Sequence, residues 1–386
     1  MTDFDSITAA QLTDQGSLKW TMFPDVINAW VAEMDFGTAP AIRSALQSAV
    51  ERAQLGYLPP AVTANLAEAC AEWYRNNHGW TIPVERIHPM PDVLKGLEVA
   101  IKHYSAPGSA VIVPTPAYMP FLWIPEKLGR EVIRVPMIQD AEGRYSYDLE
   151  AIDQAFANGA GTLIICNPHN PLGQMLDREE ALAISEVVAR NNGRVFSDEI
   201  HAPLTPRDRM HVPYAAVSEA AASHTITAVS ASKGWNLAGT KCAQIIFSND
   251  ADYAVFEPLK FEVTHGASTL GVIANTAAYS AGGAWLESTV DYLESNRSHL
   301  TRLIDEHLPG AVFVPPEATY LAWIDCRELG IPGNPTAFFT EHASVVTTDG
   351  SACGAEGFVR FNFAMPRPLL TEALTRMGKA LSSISA

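Results

Sequence analysis

An α/β fold is predicted by three features of this sequence: a large domain with a mostly parallel sheet flanked by helices, followed by a smaller α+β domain. Short β-branched runs alternate with helical patterns through the middle of the chain, the rhythm of successive βαβ units. Those runs are apolar on both faces, as strands buried in a parallel sheet must be. From about residue 270 the rhythm changes to one long helical pattern, then short strands mixed with helices.

In chain order, the strand candidates of the large domain are SAVIVP (109–114), EVIRVPM (131–137), GTLIIC (161–166), GRVFSD (193–198), HTITAVS (224–230) and KCAQIIFS (241–248). Between them, DREEALAISEVVARNN (177–192) reads as a helix opened by an aspartate cap. The long pattern WLESTVDYLESNRSHLTRLIDEHL (285–308) begins the smaller domain, whose strands are AVFVPP, TYLAWIDC and GFVRFNF. The first forty residues have few regular patterns and many aromatics. The division expected is 1–40 as a segment packing with the small domain, 41–280 as the large domain and 281–386 as the small one.

Composition narrows the function classes. The 386 residues are 47% hydrophobic and only 18% charged, enough apolar material for full cores and too little charge for disorder. The net charge of −17, without any Lys/Arg block, argues against nucleic acid or an anionic membrane as partner. Five scattered cysteines without a C-x-x-C pair point to buried thiols rather than to a disulfide framework or a metal site. The acidic N-terminus lacks the apolar core of a signal peptide, and no apolar run reaches 18 residues, so the expected location is the cytoplasm.

Four polar groups fall at the C-terminal ends of predicted strands, the edge where open α/β sheets bind ligands. They are TPAYMPF (115–121), NPHNPLG (167–173), DEIHAPL (198–204) and SASKGWN (230–236), which offer Tyr118, Asn170, Asp198 and Lys233 to one cleft. Taken singly each has an ordinary reading: a core tyrosine, an Asn-Pro turn, a helix cap, a lysine snorkelling to solvent. Together they meet the demands of pyridoxal phosphate. That cofactor needs a lysine amine for a Schiff base and a carboxylate to keep its pyridine nitrogen protonated. It also needs a donor to its ring oxygen, an aromatic face, and N–H groups, hydroxyls and a cation around its phosphate.

The set N-P-x-G, D-x-x-[YH], S-x-S-K and R-F-N-F resembles the fold-type I pyridoxal phosphate enzymes of the aspartate aminotransferase superfamily. WVAEMDF (30–36), GYLPP (56–60) and DEIH (198–201) narrow the resemblance to the cystathionine β-lyase, or cysteine C–S lyase, subgroup, over essentially the whole chain. The resemblance implies a role for each matching residue. Lys233 would carry the cofactor and move the substrate proton, Asp198 would partner the pyridine nitrogen, and Asn170 and His201 would reach the ring oxygen. Tyr118 would stack on the ring. The backbone of Val93 and Leu94, the hydroxyls of Ser230 and Ser232, and the Lys241 ammonium would surround the phosphate. Tyr57 would reach that phosphate from a second subunit, implying a homodimer with shared active sites. Arg360 would grip the substrate α-carboxylate, with Ala32 also on the substrate side.

The sequence departs from the superfamily pattern twice. Asp92 stands where glycine is common, and is expected to turn away as a helix cap; Lys241 replaces a common arginine. The aromatics Trp20, Phe23, Trp30 and Phe36 are candidates for an apolar entrance or for ordinary core. The activity implied is β-elimination from L-cystathionine and related cysteine S-conjugates, giving a thiol, pyruvate and ammonia. An aminotransferase sharing the early steps, or a regulatory binding protein using the same pocket, are the other readings.

Overall fold

The computed structural model describes residues 3–384. Seven strands form the central sheet: β1 (Ile87–Met90), β2 (Ala110–Thr115), β3 (Val132–Pro136), β4 (Ala160–Cys166), β5 (Arg194–Asp198), β6 (Thr225–Val229) and β7 (Ala243–Phe247). Their spatial order is β1-β7-β6-β5-β4-β2-β3. The ladders from β6 through β5, β4 and β2 to β3 are parallel, and β7 runs antiparallel to both of its neighbours. Each central strand is buried nearly end to end, which is why the runs read as continuously apolar rather than alternating.

The edge strand β1 is absent from the sequence reading. Its residues, IHPM, carry a proline and a histidine, which break the apolar signature. An edge position tolerates them, because Pro89 needs to pair on one side only. The helix foreseen over 177–192 runs from Arg178 to Arg190, and the Asp177 carboxylate accepts the Glu180 N–H at 2.8 Å.

The small domain is built on β8 (Val312–Phe313), β9 (Leu321–Asp325), β10 (Thr348–Asp349) and β11 (Phe358–Asn362), with helices Gly283–His307, Pro335–Ala343 and Arg367–Ile384. Residues of the N-terminal segment, among them Phe4, Leu12, Trp20 and Phe36, share one apolar core with Leu300, Phe339, Phe361 and Leu374. The short strand Ile27–Asn28 pairs in parallel with Val345–Val346, tying the segment to the same body.

Residues 30–36 are held from both sides. The Lys19 ammonium and the Asp35 carboxylate form a buried pair at 2.8 Å, and the Trp20 indole N–H donates to the same carboxylate at 2.8 Å. From the small domain, the Asn362 amide donates to the carbonyls of Val31 and Glu33. From the large domain, the Asn236 side chain brackets Met34, accepting its N–H at 3.0 Å and donating to its carbonyl at 2.9 Å. Asn236 has φ 60°, a left-handed conformation that asparagine tolerates better than most residues. WVAEMDF is therefore pinned directly onto the loop that carries Lys233.

Candidate active site

The strand ends converge as the topology demands. In the parallel ladder, Cys166 lies opposite Asp198, and Asp198 opposite Ala228, so the segments after β4, β5 and β6 emerge side by side. Together with residues 30–32 and the edge of the small domain they enclose a cavity of about 510 Å³. Lys233, Asp198, Asn170, His201, Tyr118, Val93, Ala32 and Arg360 all line it.

Lys233 donates from Nζ to the Ala32 carbonyl at 2.8 Å, an acceptor shared with the Tyr320 hydroxyl at 3.0 Å. Burial, reinforced by the nearby Arg360 guanidinium, pulls the lysine down to about 8. Asp198 accepts the Ile200 N–H at 3.0 Å, and burial pushes its carboxyl up to about 7. A cationic partner at this carboxylate would restore its charge. His201 is almost fully buried, its Nδ1 has no partner, and burial holds it well below the ordinary histidine range, so its imidazole is neutral. Tyr118 is half-buried, meets Phe121 edge to face at 5.4 Å, and is raised by burial.

Arg360 sits inside β11, only 3% exposed, and forms no ion pair among the described residues. Its guanidinium is aimed by three neutral acceptors: Asn170 Oδ1 at 2.9 Å, the Trp30 carbonyl at 3.0 Å and Thr348 Oγ1 at 3.0 Å, while Nε has no partner. Burial lowers its pKa, so a bound anion would relieve a real desolvation cost. Because Asn170 Oδ1 is committed to Arg360, the Asn170 amide nitrogen is the end left to donate into the cavity. One contact thus couples the group that fits a cofactor oxygen to the group that fits a substrate carboxylate.

The residues fit pyridoxal phosphate on this evidence. A depressed lysine amine, a buried carboxylate, and orphaned polar atoms on His201 and Arg360 line one cavity. A helix N-terminus opens beside them at Val93–His103. Asp92 caps that helix through the Lys95 N–H at 3.1 Å, leaving the first-turn N–H groups of Val93 and Leu94 outside the cap. Asp92 also pairs with Lys241 Nζ at 3.0 Å. The two departures from the superfamily pattern therefore meet each other: the carboxylate and the ammonium neutralise as a half-exposed pair at the mouth of the helix.

Not every predicted residue reaches the cavity wall. The Ser230 hydroxyl donates to the Cys242 carbonyl at 2.8 Å and accepts the Ser232 N–H at 3.0 Å. It is spent inside its own loop, so Ser230 shapes the loop instead of offering a hydroxyl. Ser232, Leu94 and Lys241 flank the cavity through the same loop, helix and ion pair without lining it. Tyr57 is 91% exposed and lines a separate depression of about 990 Å³ with Leu58, His88 and Phe261. The aromatics divide. Phe23 and Trp30 meet edge to face at 5.5 Å in the cavity wall, whereas Trp20 and Phe36 are core.

Residues outside the sequence reading also contribute. Thr336 and Thr340, one turn apart on helix Pro335–Ala343, face the cavity with Thr347, Thr348 and Asp349. Their i, i+4 spacing is visible in the sequence, but nothing there ties that helix face to this cleft.

The lowered lysine carries a testable consequence. The amine that captures a carbonyl is the neutral one, so the rate at which the cofactor-free protein takes up pyridoxal phosphate rises with pH through about 8. An ordinary lysine would place that midpoint near ~10.4. Stopped-flow growth of the visible band across pH measures it, and a midpoint at the ordinary value would refute the depressed amine.

Residues 24–377 match the family model described as aminotransferase class I and II. The chain is 41% identical to a cystathionine beta-lyase of Corynebacterium glutamicum, over 96% of this chain and 98% of that one. Among solved structures, a protein of Corynebacterium diphtheriae assigned as a PLP-dependent beta-cystathionase superposes with a TM-score of 0.92. It is 42% identical, over 97% of this chain and 98% of that chain. The PLP-bound C–S lyase of Staphylococcus hominis gives a TM-score of 0.89 at 28% identity, over 98% and 99% of the two chains.

Proposed function

Because this chain belongs to the aminotransferase class I and II family, we propose that it is a pyridoxal-phosphate-dependent carbon–sulfur lyase acting on L-cystathionine and related cysteine S-conjugates. The observation that carries the reading is the joining of Lys233, Asp198, Asn170 and Arg360 around one cavity. It is supported by a cystathionine β-lyase relative that aligns with nearly the entire chain.

Bound through Lys233, pyridoxal phosphate supplies an electron sink for the substrate's Cα–H bond. The chain's residues do the rest. Asp198 would keep a positive charge on the ring nitrogen, and the Asn170 amide, with His201 nearby as a neutral imidazole, would orient the ring oxygen. Tyr118 covers one face. The Val93 N–H would face the phosphate, with the Leu94 N–H, the Ser232 hydroxyl and the Asp92-paired Lys241 ammonium flanking it from behind the cavity wall. Arg360 takes the substrate α-carboxylate and so fixes which Cα bond faces Lys233. Lys233 would take the Cα proton, and the Cβ–S bond would break with its electron pair going to sulfur, which leaves as the thiol on protonation. The three-carbon enamine left behind hydrolyses to pyruvate and ammonia. Residues 41–280 serve as the cofactor-binding domain, with 281–386 and the N-terminal segment over the substrate side.

Purified protein given cystathionine and no keto acid should release homocysteine and pyruvate in equal amounts. Amino-group transfer that requires a keto acid, with no thiol formed, would overturn the reading.

The proposed assembly is a homodimer in which Tyr57 reaches the partner's phosphate site. Its support is exposure: Tyr57, Leu55 at 63% and Phe261 at 75% leave an apolar tract uncovered. Sedimentation of active protein should give a dimer, and Tyr57→Phe should weaken cofactor retention; an active monomer would exclude the arrangement. No helix among the described residues is long and apolar enough to cross a membrane.

A further inference from the structure

One charged side chain of the cavity wall has no ligand in this scheme. Four charged side chains line the cavity: Lys233, Asp198, Arg360 and Asp349. The first three are assigned above. Asp349 ends the short strand β10, opposite Val359 of β11 and one residue beyond the Thr348 that aims Arg360. It forms no ion pair among the described residues. Its carboxylate is held in place by Ser351, accepting the N–H at 2.9 Å and the hydroxyl at 2.6 Å. Burial pushes this acid up, but hydrogen bonds from Ser351 and from the Asn334 side chain together outweigh it and hold the group below the ordinary aspartate range, so it is ionised at neutral pH.

The cavity wall that includes Asp349 also carries hydroxyls and aromatic faces. Thr347 and Thr336 share a hydrogen bond at 3.0 Å, Thr340 lies one turn along, and Phe23 and Trp30 close the apolar side. Apart from Lys233 and Arg360, no lysine or arginine among the described residues lines the cavity. Beyond the assigned residues the wall therefore presents a fixed negative charge, hydroxyls to solvate a polar group, and no further cation for a second carboxylate.

Resting on the lyase reading, we propose that Asp349 binds an ammonium group on the leaving-group side of the substrate. The enzyme thereby favours thioethers whose departing thiol carries an amine over those whose thiol carries only an anion. An amine-bearing leaving group gains a Coulomb partner here, whereas a lone carboxylate meets like charge.

Three L-cysteine thioethers of matched reach test it: S-(3-aminopropyl), S-butyl and S-(3-carboxypropyl). Asp349→Asn is the variant of choice, because its side-chain carbonyl can still accept the Ser351 N–H and keep the turn. Measured against the S-butyl compound, kcat/KM for the S-aminopropyl compound should fall about tenfold in the variant, and that for the S-carboxypropyl compound should rise about tenfold. Apparent Kd values, read from the change in visible absorbance on adding each compound, should shift in the same directions. Ratios unchanged in both rate and affinity would overturn the role of Asp349. Affinities that shift as expected, with no thiol from any compound, would keep the ammonium site and overturn the lyase reading instead.

Discussion

Replacing Lys233 with alanine should abolish the visible absorption of the bound cofactor and lower thiol release by about 10⁴-fold. Two functions meet in this one amine: the covalent hold on the cofactor and transfer of the Cα proton. Positioned proton transfer alone contributes on the order of 10²–10⁴-fold, and the variant loses the covalent hold as well. Lys233 is placed for both by the Ala32 carbonyl at 2.8 Å, which Asn236 and the Lys19–Asp35 pair hold in register. A small primary amine added to the variant should restore part of the rate, since it supplies the missing base without changing the fold. A variant that kept its visible band and more than a tenth of its rate would refute the assignment.

Arg360→Lys should lower kcat/KM by about 10²-fold, although the positive charge is retained. Hydrogen bonds to charged groups are worth about 1.5–3 kcal/mol, and about 1.4 kcal/mol corresponds to tenfold. The guanidinium spans Asn170 Oδ1, the Trp30 carbonyl and Thr348 Oγ1 at once, and a planar fork can do so while still facing a carboxylate. An ammonium is a point donor and must abandon some of these acceptors. Asn170 would then lose the contact that fixes its amide, so the visible band should shift as well as KM rise. Steady-state kinetics and the absorption spectrum measure the two effects. A loss under threefold with an unshifted band would mean that Arg360 does not hold the substrate.

The two departures from the superfamily pattern show how local and tertiary information divide. The cap role of Asp92 is legible in sequence, because an aspartate before an apolar helical run satisfies the N–H of the third helical residue. Its pairing with Lys241 is not legible, since the two are 149 positions apart and meet only because β7 lies beside β1 and β6. Ser230 shows the reverse case. Its hydroxyl looked available by type and place, but the Cys242 carbonyl and the Ser232 N–H consume it. A residue's capacity to bond is a property of the residue. Whether that capacity is free is a property of its neighbours.

Six of the seven sheet strands, the strand-end loops and the cluster of Tyr118, Asn170, Asp198 and Lys233 are legible in the sequence. Apolar strands and polar strand ends are local patterns, and parallel βαβ connection brings those ends to one edge without further instruction. What closes the cavity is set by long-range packing: the pinned segment 30–36, the acceptors around Arg360, the threonines of the small domain and Asp349. Those contacts join residues as many as 331 positions apart. No local period encodes them, because they depend on how the small domain and the N-terminal segment pack over the strand ends.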